Sequence, residues 1–96
     1  MGTIELRTAA PERARTILRQ ALERERRLIA DGISRTREKV TGLIEKTGVD
    51  PDGLRMGRVP HPEDRDMELL ELEGEMAILT ALEEQLRVLD ELQICP

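Results

Sequence analysis

Glu68, Glu71 and Glu75, with Glu73 between them, place several carboxylates within two turns of one helical stretch. Carboxylates at that spacing hold Mg²⁺ when a facing helix supplies further acids. The facing stretch here offers mainly arginine. Glu68, Glu71 and Glu75 therefore read as a solvated acidic face, pairing with those arginines and presented to a partner. His61 is the only histidine and stands between Pro60 and Pro62, and Cys95 is the only cysteine. A zinc-binding His pair or a Cys–His dyad within one hairpin is thus out of reach, and so is an intrachain disulfide. No His, Lys or helix N-terminus accompanies Cys95 to make it a reactive thiolate. We expect no catalytic residue, no metal ligand and no cofactor.

The cluster Arg24-Glu25-Arg26-Arg27 raises the question of nucleic acid. Interleaved acids, the absence of Phe, Tyr and Trp for stacking, and a net charge of −5 argue against it. The same charge disfavours an anionic membrane and favours a basic protein partner.

These residues sit on two long helical patterns of opposite charge. Residues 10–47 carry ten Arg/Lys against six Asp/Glu, whereas 61–96 carry two against eleven. We expect an all-α fold: an antiparallel two-helix hairpin with helices over about 9–47 and 62–93, all of 1–96 forming one unit. Helix 1 should begin near Thr8 to Pro11, because proline is tolerated in a first turn. Leu18, Leu22, Ile29, Ile33, Thr36, Val40, Leu43 and Ile44 then form one apolar stripe, with Leu22, Ile29, Thr36 and Leu43 seven apart in coiled-coil fashion. Lys46 favours the negative end of the helix, and Gly48 suits the position just past it.

Residues 48–61 form the connecting loop, rich in Gly and Pro. Asp50-Pro51 should open a single helical turn whose Leu54 and Met56 plug the end of the bundle. Helix 2 should start at Pro62, with Glu63, Asp64 and Asp66 favouring its positive end, and run to about Gln93. Its apolar positions exceed one seam. Leu72, Leu79, Leu82, Leu86 and Leu89 make one stripe; Met67, Leu70, Ala77, Ile78, Ala81, Val88 and Leu92 make another. A helix apolar on two faces must be covered on both. Helix 1 would cover the first and a second copy the other, giving a homodimeric four-helix bundle.

Counting outward from the loop places Gly32 and Gly74 within about one turn of each other, a candidate close crossing. Residues 3–7, Thr-Ile-Glu-Leu-Arg, alternate polar and apolar, which fits a short strand or an extended arm over 1–8. No run approaches the roughly 20 apolar residues of a membrane span, and no signal-peptide pattern opens the chain. We expect a cytoplasmic protein. Arg outnumbers Lys thirteen to two and Asn is absent, a usage resembling that of thermophile proteins.

Two enzyme comparisons bear on these elements. The glutamate spacing resembles that of all-α nucleotide pyrophosphatases, which need further acids on a second helix. Val59-Pro60-His61-Pro62-Glu63-Asp64-Arg65 resembles the Pro-x-x-x-Arg start of the second helix in helical chorismate mutases. That family also implies inward arginines, a late helix 1 lysine, for which Lys39 could stand, and a break that 62–93 does not contain.

A third likeness covers most of the chain: the N-terminal arm, Ala21-Leu22-Glu23-Arg24-Glu25, Gly32-Ile33-Ser34-Arg35-Thr36, Glu45-Lys46-Thr47-Gly48-Val49 and Leu89-Asp90-Glu91-Leu92-Gln93-Ile94-Cys95. These segments resemble a family of small prokaryotic helical-hairpin proteins that are antitoxin-like. The resemblance implies a basic toxin as partner. We expect a non-catalytic interaction and oligomerisation module, ahead of a purely structural homo-oligomer, with a small all-α enzyme third.

Overall fold

A computed structural model describes residues 2–61, 66–92 and 94. Three helices follow in order: α1 (Pro11–Thr47), α2 (Pro51–Arg55) and α3 (Asp66–Glu91). Pro11 occupies the first turn of α1, and Thr8 Oγ1 accepts a hydrogen bond from the Ala10 N–H at 3.1 Å just before it. At the other end Gly48 adopts φ +68°, and its N–H donates to the Ile44 carbonyl at 2.8 Å. That left-handed turn closes a helix cheaply only when its residue lacks a Cβ. Asp50 caps α2, its carboxylate accepting from the N–H groups of Asp52 (3.3 Å) and Gly53 (3.2 Å).

The two long helices lie side by side with their numbering in opposite senses. Lys46 meets Glu68 at 3.2 Å, Lys39 meets Glu75 at 3.9 Å, and Arg26 pairs with Asp90. The eight predicted stripe residues of α1 are all buried or half-buried, as are Leu72, Leu79, Leu82, Leu86 and Leu89 of α3. The tightest core lies at the loop end. There Leu54, Leu69, Leu72 and Met76 pack against Val40, Leu43, Ile44, Val49 and Val59. Leu69 and Met76 belong to neither predicted stripe, and they are buried because α2 lowers Leu54 onto them.

Several expectations need correction. Residues 3–7 form no strand. Ile4 and Leu6 are exposed, and a strand needs a partner edge that the described elements, all helices, do not provide. Met56 does not plug the bundle: it is exposed while Leu54 is buried, because residues two apart on a helical turn point in different directions. Helix 1 begins at Pro11, at the late end of the expected start near Thr8 to Pro11. Helix 2 is described from Asp66 to Glu91; the predicted first residues from Pro62 and the end at Gln93 lie outside the described residues, as does Cys95.

Gly32 and Gly74 are not brought together. A Cβ added at Gly32 would stand 3.4 Å from Leu82 Cδ1, whereas one at Gly74 would meet nothing within 4 Å. Gly74 lies eight residues before Leu82, about 12 Å along the axis. The reason is the longitudinal register of the two helices. Lys46 pairs with Glu68, Lys39 with Glu75, and Gly32 lies beside Leu82, so α3 pairs later along α1 than an outward count from the loop assumes.

Candidate interaction surface

Six residues of the second stripe lie on the exposed side of α3, and Leu92, just past its end, is exposed too but lines a groove with Arg19, Leu22, Glu23 and Arg26 of α1. Met67, Leu70, Ile78, Val88 and Leu92 are 45–78% exposed, and Ala77 and Ala81 are exposed as well. The cause lies in the spacing. At about 100° per residue, Met67, Gly74, Ala81 and Val88, seven apart, trace one line along the helix, and Leu70, Ala77, Ile78 and Leu92 flank it. The middle of this face holds the small residues Gly74, Ala77 and Ala81 around a single large one, Ile78, and its ends carry Met67 and Leu70 on one side and Val88 and Leu92 on the other.

The acids predicted to face a partner divide. Glu68 and Glu75 turn toward α1 and pair with Lys46 and Lys39. They sit seven apart beside Leu72, so the seam that buries that leucine brings them to the lysines. Of the three, Glu71 is exposed while Glu68 and Glu75 are half-buried. Lys39, the lysine of the chorismate mutase comparison, is the one that pairs with Glu75. Among the described residues no group of three or more His, Cys, Asp or Glu side chains is disposed to hold a metal ion.

Further along α3, Arg87 Nε donates to Glu84 at 3.0 Å, and its Nη1 reaches Glu91 Oε1 at 2.6 Å. The hydrogen bond from Arg87 holds the Glu84 carboxyl below its ordinary value, and the two carboxylates raise Arg87 in turn. Both groups are solvent-exposed, so this pair orders the helix surface and adds little stability.

Two features escaped the sequence patterns. Ile17 and Leu28 on α1 are both exposed. Their spacing of eleven, three helical turns, is a signal that the stronger main stripe masks. Leu28 lines a groove with Gly32, Arg35 and Lys39 of α1 and Leu82 and Gln85 of α3. His61 is the other. Its Nδ1 lies 3.1 Å from Asp66 Oδ1 and its Nε2 3.0 Å from Glu73 Oε1. Both nitrogens can donate to both acids only when the ring is doubly protonated. Nothing local in the sequence foretells that contact, which depends on how the loop returns to α3.

A second groove, of about 840 Å³, opens on the opposite side of the helix pair between Ile33, Arg37, Glu38, Leu86, Arg87 and Asp90. Its charges are mixed in sign. The basic cluster is dispersed, with Arg26 engaged by Asp90 while Arg24 and Arg27 are exposed elsewhere on the helix. Among the described residues, no helix is long and apolar enough to cross a membrane. No protein-family model, curated protein or solved structure matches the chain.

Proposed function

We propose that the protein is a non-catalytic interaction and oligomerisation module, a helical hairpin that joins a second copy in a four-helix bundle. The observation that carries this is the outward face of α3, Met67, Leu70, Ala77, Ile78, Ala81 and Val88, with Leu92 just past its end, on a helix whose other side is already packed against α1. A water-exposed apolar face of that extent marks an interaction site. Its five large side chains are 45–78% exposed, and covering them in both copies is worth on the order of 10 kcal/mol before the cost of association.

Light scattering tests the reading. The expected mass is twice 10.9 kDa at micromolar concentration, and a monomer there would sink it. The cytoplasm is the compartment this module suits.

A second reading rests on the charge of α3, nine Asp/Glu against the single Arg87. On the antitoxin-like resemblance, that helix neutralises a basic toxin, with electrostatics setting association rate and specificity. Co-expression with a small basic protein encoded beside it tests this: a complex that survives purification and loosens with salt supports it. Self-association without such a partner leaves the purely structural homo-oligomer.

A further inference from the structure

Resting on the dimer reading above, we propose a specific arrangement of the two copies: each α3 seats against the partner copy's α1 rather than its α3, with both connecting loops at the same end of the bundle. Two face-to-face packings are open to a pair of antiparallel hairpins. A two-fold axis across the helices stacks α1 on α1 and α3 on α3 and sends the loops to opposite ends. A two-fold axis along the helices stacks α1 on α3 and keeps the loops together.

Charge separates the two. α3 carries nine Asp/Glu and one Arg, and α1 carries ten Arg/Lys and six Asp/Glu. Stacking like on like sets a strongly acidic helix against its own copy, and like charges in register oppose association. The crossed packing instead lays a basic helix on an acidic one at both contacts.

The apolar surface agrees. The outward face of α3 continues into the groove that holds Leu28, because Gln85 lines that groove and lies at helical spacing from Ile78, Ala81, Val88 and Leu92. On α1, Ile17, Ala21 and Leu28 share one side, with Arg24 and Arg35 interleaved at spacings of four and seven. A face meeting α3 of a second copy needs that mixture, aliphatic contacts flanked by cations. In the crossed packing it is covered by the partner copy. A contact made through the two α3 faces alone leaves Ile17 and Leu28 in water.

The inter-loop distance tests this. Met56 is exposed, so Met56→Cys in a Cys95→Ser background accepts a spin label, and pulsed electron–electron resonance reads the distance between the two copies. With loops together, a few interaxial distances of about 8–10 Å each separate the labels, below about 30 Å. With loops apart, the separation exceeds the length of α3, about 39 Å.

A second measurement uses Leu28→Glu, which keeps a helix-favouring residue at an exposed position and should retain wild-type helicity by circular dichroism. It is expected to weaken the dimer at least tenfold, and raising salt from 50 to 500 mM is expected to weaken the wild-type dimer. A dimer with distant labels, an undiminished Leu28→Glu dimer, or association that tightens with salt overturns the crossed packing and leaves dimerisation standing. A wild-type monomer at micromolar concentration overturns both.

Discussion

Three alanine substitutions at interior glycines test how closely the helices approach. Gly42 lies inside α1, and a Cβ added there would meet nothing within 4 Å. Gly42→Ala therefore reads helix propensity alone, a gain of about 0.8–1 kcal/mol. At Gly32 the new Cβ would stand 3.4 Å from Leu82 Cδ1 and 3.9 Å from Cδ2. That is ordinary van der Waals contact, so Gly32→Ala should keep the same gain and bury part of a methyl besides, for about 1 kcal/mol in all. In a domain of this size such a gain raises Tm by about 4–8 °C. Gly74→Ala should match Gly42→Ala at protein concentrations where the chain is monomeric, because α1 does not reach it. Thermal unfolding followed by far-UV circular dichroism over a range of concentrations measures all three. A fall in Tm for Gly32→Ala beside a rise for Gly42→Ala would mean that the helices cross more tightly at Gly32 than at Leu82 Cδ1 distance, and the register read from the ion pairs would be wrong.

Leu72 is wholly buried, so Leu72→Ala should cost about 3 kcal/mol in urea unfolding; a loss under about 1 kcal/mol would show that the loop-end core repacks around the cavity. Asp50→Ala removes both acceptors at the start of α2 and should cost about 1 kcal/mol, read in the same assay, with no loss contradicting the cap. Glu84 is held below its ordinary 4.5 by Arg87. The folded carboxyl thus binds its proton less readily than the unfolded one, and its stabilising effect is present above pH 4.5 and lost as pH falls through the folded value. In Arg87→Gln the Glu84 titration, followed by carboxyl NMR shifts, should move up toward 4.5; an unchanged midpoint would remove Arg87 as the cause.

Much of the helical framework was legible in local pattern. Pro11, Gly48 and the cap at Asp50 act through their own backbone geometry, and Leu22, Ile29, Thr36 and Leu43 through a seven-residue period that needs no knowledge of the partner helix. The outward α3 face was legible for the same reason. Leu69 and Met76 were not, because α3 is apolar over so much of its circumference that periodicity alone assigns no single inward direction. Ile17 and Leu28 had a usable spacing, hidden beneath a stronger stripe.

The amino-acid sequence by itself determined how α1 starts and stops, which side of α1 is apolar, and that α3 carries more apolar surface than one neighbour can cover. These follow from φ/ψ preference and a 3.6-residue repeat, both local. Only the tertiary structure decided the longitudinal register: that Glu68 and Glu75 turn inward to Lys46 and Lys39, that Gly32 meets Leu82 rather than Gly74, that His61 folds back between Asp66 and Glu73. Periodicity sets which way a side chain points around a helix axis. How far one helix slides along another depends on the path of the connecting chain and on the packing of Leu54 beneath it, and neither is written in the repeat.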